Sequence, residues 1–113
     1  MSASNGSQPQ LRINEHVDHD GALRLAVAGE LDLAVIDVLH ARLVALKQEG
    51  HRVRLDLAEL EFIDSTGLRE LLLAVADAER DGWDLEIDPH VSEPVGRVID
   101  LAGVGSQFWP EPG

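Results

Sequence analysis

The sequence predicts a two-layer α/β domain: a mixed sheet of four to five strands with helices on one face. Two observations point there. Short segments that alternate apolar and polar residues, the period of a strand, are separated by segments whose apolar residues recur every three or four positions, the period of a helix. In addition, no strand-like segment is the unbroken apolar run of a strand buried on both faces. One side of the sheet should therefore carry the helices and the other stay polar and open.

Residues 1–10, MSASNGSQPQ, hold almost nothing apolar and read as a disordered leader. Leu11, Ile13 and Val17 then alternate with polar neighbours. Asp18-His19-Asp20-Gly21 supplies a turn, and Leu23, Leu25 and Val27 alternate again up to Gly29, the pattern of a β-hairpin. From Leu33 to Gln48, Val35, Ile36, Leu39, Leu43 and Leu46 mark one face of a helix, with Asp32 as its N-cap and Gly50 as its stop. Val53, Leu55 and Leu57 alternate with charged residues in a third strand, and residues 59–64 read as a connection. A second helix runs from Ser65 to Arg80 with Leu68, Leu71, Leu72 and Val75 on its apolar face, and Gly82 ends it. Trp83, Leu85 and Ile87 form a fourth strand, and a third helix from Glu93 to Ala102 carries Val95, Val98, Ile99 and Leu101. The segment from Gln107 to Trp109 is expected to add a short edge strand, and residues 110–113 a short tail. The order ββαβαβα makes one domain over residues 11–109, its hairpin antiparallel and its helix-linked strands parallel.

Composition narrows the function. The 113 residues carry a formal net charge of -12, a field that repels nucleic-acid phosphates and anionic lipid surfaces. No basic patch offsets it, because Asp56 follows the densest basic pair, Arg52 and Arg54. Nucleic-acid and membrane partners are not expected, and the charge favours a monomer. There is no cysteine, so disulfide and thiol chemistry are excluded. The N-terminus lacks the basic and apolar regions of a signal peptide, and no apolar run approaches the ~18 residues a membrane span needs. The chain is expected to be soluble and cytoplasmic.

The most informative stretch is Val53 through Leu73, VRLDLAELEFIDSTGLRELLL, where Asp64-Ser65-Thr66-Gly67 opens a helix. Asp, Ser and Thr satisfy orphan N–H groups at a helix start, and a capped start is the plain reading of these residues. Gly67 inside the first turn costs about 1 kcal/mol relative to Ala, which implies that a neighbouring backbone or a partner comes close there. Ile63-Asp64-Ser65-Thr66-Gly67-Leu68, between an alternating strand and an amphipathic helix, resembles the phosphorylation-site signature of STAS-domain anti-sigma-factor antagonists. Gly29-Glu30-Leu31-Asp32, before the first helix, looks like that family's second motif, and the element order over residues 11–109 is similar to the family's.

The resemblance implies a binding switch and not an enzyme, with no cofactor. Ser65 would be the acceptor for a serine kinase that is also an anti-sigma factor. Asp64, Thr66 and Gly67 would shape the contact, and Glu30 and Asp32 would lie on the same rim; helix spacing puts Arg69, a partner-binding candidate, one turn on from Ser65 along the same face, within reach of a phosphate there. The unphosphorylated form would bind the kinase and free a sigma factor, and a phosphatase would reset the cycle. Where the family often has Gly-Leu-Gly, this chain has Gly67-Leu68-Arg69, a cation that bears on which partner is accepted. Asp56, Glu59, Glu61 and Asp64 precede Ser65 and make the rim acidic, so phosphate there should expel a partner by repulsion. The alternative is an accessory subunit docking on a transporter ATPase or a stress-signalling assembly, with Ser65 only a helix cap. A third reading is weak hydrolase or nucleotide-binding activity at the open sheet face.

Other candidates carry less. Asp64-Ser65-Thr66-Gly67 also resembles the active-site loop of aspartic proteases, but those need two such aspartates on a largely β scaffold. His16, Asp18, His19 and Asp20 cluster at the hairpin turn without fixing a metal geometry, so no metal site is assigned. His40, His51 and His90 read as surface residues, and Trp83 and Trp109 as side chains packed at the ends or edge of the sheet.

Overall fold

A computed structural model of the chain describes residues 11–110; the expected leader and the last three residues lie outside that range. Leu11–Val17 (β1) and Leu23–Leu31 (β2) form the antiparallel hairpin, with Leu11 opposite Gly29 and Val17 opposite Leu23. Gly21 has φ 88°, the left-handed conformation that lets the turn close from Asp18 to Ala22. β2 is the spine of the sheet. Its first half pairs in parallel with Val53–Asp56 (β3), and its second half pairs in parallel with Leu60–Ile63 (β4). Leu85–Ile87 (β5) lies parallel to β3 on the far side, giving five strands in a mixed sheet.

β4 corrects the connection expected over residues 59–64. Its residues read buried, exposed, exposed, buried, not in alternation, because the register against β2 shifts between Gly29 and Glu30. The irregular pairing erased the period-2 signal.

Helix Ile36–Gln48 (α1) starts later than expected, and Val35, not Asp32, stands at its N-cap with no side-chain bond. Asp32 closes a turn of its own: its carboxylate accepts from Ala34 N–H at 3.0 Å and its carbonyl from Val35 N–H at 3.1 Å. That local alternative to the helix delays the first helical turn. Helix Ser65–Asp81 (α2) is capped by Asp64 and ends at Gly82, in the left-handed conformation at φ 71°. Helix Glu93–Ala102 (α3) starts at Ser92, whose hydroxyl donates to Leu60 O at 2.5 Å and so ties the helix to β4.

The expected edge strand over residues 107–109 is instead a single helical turn, Gly105–Phe108 (α4). Phe108 is drawn into the core and the Trp109 indole N–H donates to Ile87 O of β5 at 2.7 Å. The chain here caps the sheet instead of extending it. Trp83 does similar work at the other end, donating to His51 O at 2.7 Å.

One core joins the layers. Leu25, Val27 and Leu31 of β2, with Val53 and Leu55 of β3, meet Leu39, Leu43 and Leu46 of α1 and Leu68 and Leu71 of α2; Val95 and Ile99 of α3 close it. Each such side chain contributes about 1.5–3 kcal/mol by leaving water.

The other face of the sheet is polar, as expected. Arg24 bridges Asp18, Asp56 and Asp88, each at 3.1 Å, and Arg54 reaches Asp18, Asp20 and Glu86 at 2.6–2.8 Å. The Arg24 hydrogen bond holds the Asp18 carboxyl below its usual range, and the Arg54 bond lowers Asp20 to about 2. Both turn aspartates are thus committed to arginines. Among the described residues no helix is long and apolar enough to cross a membrane.

Candidate functional site

The site forms where β2 and β4 end side by side and α2 begins. Glu30 and Leu31 pair with Phe62 and Ile63, and Asp64 N–H donates to Leu31 O at 3.2 Å, carrying the strand into the helix. Asp64 is extended, at φ -99° and ψ -178°, and both its carboxylate oxygens are used. Oδ1 accepts from Gly67 N–H at 2.8 Å, and Oδ2 accepts from Leu33 N–H at 3.2 Å. The first bond caps α2. The second stitches the turn after Glu30-Leu31-Asp32 onto the start of α2, so one carboxylate joins the two sequence motifs.

Gly67 is buried against that junction. A Cβ there would lie 2.7 Å from Leu31 O and 3.0 Å from both Ile63 Cγ1 and Leu31 Cγ. The neighbour that the glycine makes room for is the backbone of β2, which gives the close approach inferred from sequence a concrete partner.

Ser65 is exposed in the first turn of α2, and among the described residues its hydroxyl makes no hydrogen bond. The cap is Asp64, so Ser65 does not serve as the helix cap that the alternative reading expected. Thr66 is half-buried beside it. Arg69, one turn further, is exposed and takes part in no ion pair among the described residues. Glu30 and Asp32 are half-buried at the end of β2, while Glu59 and Glu61 are exposed at the turn and strand before Asp64. Asp56 does not belong to this rim: it sits in the Arg24 network on the open sheet face. The rim is therefore Glu30, Asp32, Glu59, Glu61 and Asp64.

Two exposed apolar residues lie on the elements that meet at the site and were missed in the sequence. Leu33 is 72% exposed, with its backbone pinned to Asp64, and Phe62 is 47% exposed two residues before Asp64. The signal for Leu33 was that it falls outside the helical stripe beginning at Val35. Phe62 gave no signal, because its segment read as a connection.

Behind the site, α1 and α2 enclose a groove of about 310 Å³ whose apolar lining includes Leu43, Val44, Leu73 and Trp83. Ion pairs span it, His40 to Glu70 at 2.8 Å and Lys47 to Asp77 at 2.7 Å. The Glu70 carboxylate, hydrogen-bonded to His40, raises the imidazole above its ordinary value.

The site is thus a tightly stitched strand end and helix start, with an exposed hydroxyl, exposed apolar side chains and several carboxylates, on a two-layer α/β domain. The chain belongs to the STAS domain family: the family model described as "Mlab, STAS domain" matches residues 15–106. It is 35% identical over 91 residues to the anti-sigma-B factor antagonist of Staphylococcus epidermidis, covering 80% of this chain and 83% of that protein. Among solved structures, an anti-sigma factor antagonist from Mycobacterium paratuberculosis matches with a TM-score of 0.73 at 23% identity, over 94% of this chain and 90% of that one. The Bacillus cell fate determinant SpoIIAA in its phosphorylated form matches with a TM-score of 0.62 at 18% identity, over 85% and 87% of the two chains. These structural likenesses establish the fold.

Proposed function

We propose that this protein is an anti-sigma factor antagonist: it binds a serine kinase that is also an anti-sigma factor, and phosphorylation of Ser65 switches that binding off. The observation that carries the reading is the exposed Ser65 hydroxyl, unused by the fold because Asp64 does the capping. The naming of the Staphylococcus relative as an anti-sigma-B factor antagonist supports it, and so does the fold shared with a protein that exists in a phosphorylated form. Asp64 and Gly67 hold the surface in shape, Leu33 and Phe62 supply apolar contact, and Glu30, Asp32, Thr66 and Arg69 border it. The protein works in the cytoplasm, where ATP and the kinase are found, and a phosphatase restores the free hydroxyl.

In the modifying step the Ser65 oxygen attacks the γ-phosphorus of ATP. A new O–P bond forms, the bond to ADP breaks, and the hydroxyl proton passes to a base on the kinase. The product carries about -1.5 to -2 charges at pH 7. A helix start tolerates them because its free N–H groups and dipole favour anions, so the domain stays folded. Binding is lost at the acidic rim, by repulsion and the cost of desolvating the phosphate. The switch is electrostatic and not conformational: phosphorylation should leave amide NMR shifts away from the site nearly unchanged, and widespread shifts would sink this part of the proposal.

A paired pull-down from native lysate with wild type and Ser65→Asp as baits, followed by incubation of the captured kinase with ATP, tests the function. The expected result is capture of a serine kinase by wild type alone and one phosphate added at Ser65. Equal capture by both baits of a transporter ATPase or a signalling scaffold would refute the switch.

A further inference from the structure

The charges around Ser65 are unevenly satisfied. The other arginines from Arg24 to Arg97, and Lys47, each pair with a carboxylate. Arg69, like Arg12 on β1, pairs with none among the described residues, on a chain of net charge -12. Three carboxylates of the site and of the same helix turn are already engaged. Both oxygens of Asp64 accept backbone N–H groups, Asp32 accepts from Ala34, and Glu70, next to Arg69 in sequence, bonds to His40.

The helix start is likewise partly spent as an anion site. Gly67 N–H, one of the orphan donors of the first turn, is held by the Asp64 side chain at 2.8 Å. A phosphate on Ser65 would meet the remaining N–H groups of the first turn and, four residues further along the same helix, a cation that makes no ion pair among the described residues. Residues at that spacing are neighbours on a helix surface, about 5–6 Å apart at Cβ. A guanidinium presents two parallel N–H groups that match two phosphate oxygens.

We infer that Arg69 is a built-in phosphate clamp: once Ser65 is modified, its guanidinium holds the phosphate against α2 and stabilises the doubly charged form. This deepens the proposed function and rests on Ser65 being the acceptor. The clamp acts on the rim twice. Modification adds negative charge and at the same time occupies the cation that the unmodified surface offers to a partner. It also lowers slightly the pH at which the phosphate dianion takes up a proton.

The test installs phosphoserine at position 65 during translation, which makes it independent of any kinase. The second ionisation of the phosphate is then followed by phosphorus NMR against pH in three full-length proteins: Arg69 intact, Arg69→Gln and Arg69→Lys. All three should fold alike, because Arg69 is exposed and unpaired. The wild-type midpoint should lie a few tenths of a pH unit below that of Arg69→Gln, the size an exposed pair one turn apart supports. Arg69→Lys should fall between, having a point charge but no fork. The difference should shrink in about 1 M salt, where screening acts within roughly 3 Å. Identical midpoints in wild type and Arg69→Gln overturn the clamp. Failure of the clamp is separable from failure of the switch: the midpoints report on Arg69 alone, whereas a kinase that ignores Ser65 reports on the acceptor.

Discussion

Adding one methyl group at Gly67 sets helix propensity against packing. In an exposed helix interior, Gly→Ala stabilises by about 1 kcal/mol. At Gly67 the new Cβ would meet Leu31 O at 2.7 Å and two side-chain carbons at 3.0 Å. The closest of these is a backbone carbonyl that cannot swing aside, because it accepts the Asp64 N–H at 3.2 Å in the step from strand to helix. Relief requires α2 to move off β2, straining both bonds of the Asp64 carboxylate. Overpacking of this kind costs about 1–3 kcal/mol, and the rigid neighbour places Gly67→Ala at the upper end. The net loss is about 1–2 kcal/mol, and at roughly 4–8 °C for each kcal/mol it lowers the melting midpoint by roughly 4–16 °C. Urea unfolding followed by circular dichroism, with an unchanged m-value, measures it. A Gly67→Ala protein as stable as wild type, or more stable, would refute the reasoning, because propensity alone would then have decided the outcome.

Removing the joint between the two motifs gives a second expectation. Asp64→Ala leaves the Gly67 and Leu33 N–H groups without partners and should cost about 1–3 kcal/mol, with faster hydrogen exchange at those two amides and little change in α3. At His40, the Glu70 carboxylate raises the folded-state value. The pair's contribution is therefore fully present below the unfolded value of about 6.5 and is lost as pH rises through the raised one. An NMR titration should place the His40 midpoint above 6.5, and Glu70→Gln should bring it down; no response to Glu70→Gln would dismiss the pairing. Replacing Arg24 by Met strands Asp18, Asp56 and Asp88 together. The folded values of Asp18, through Arg24, and of Asp88, through His90 N–H and then Arg24, are depressed. Their contribution is present above the unfolded value of about 3.8 and fades as pH falls through the folded values. The melting-point penalty of Arg24→Met should accordingly be larger at pH 7 than at pH 3, and an equal penalty at both would contradict the charge argument.

The hairpin, α2 and α3 were legible because their apolar residues keep one period against one partner. β4 was not. Leu60-Glu61-Phe62-Ile63 owes its strand to a position beside the second half of β2 after a register shift, and that information lies in the pairing. Asp32 looked like a cap because its residue type caps both helices and turns, and the turn won. At the site, the tension at Gly67 could be read from a glycine placed where helix propensity argues against it. The bond from Leu33 N–H to Asp64 joins positions 31 residues apart, and no local pattern announces it. Ser65 could be marked as a candidate from its motif, but its freedom from the capping role became visible only when Asp64 was seen to fill it.

The two edges of the sheet are unequal. β5 is three residues long and the Ile87 carbonyl is already taken by Trp109. β1 is seven residues long and, among the described residues, pairs on one side only. Unpaired strand groups are what let sheets join edge to edge. β1 is thus the longest strand edge left open among the described residues, β4 being four residues long. Growth into a fibre needs two free edges on every member, and on the far side of the sheet the indole of Trp109 already occupies one of the carbonyls that such an edge would offer.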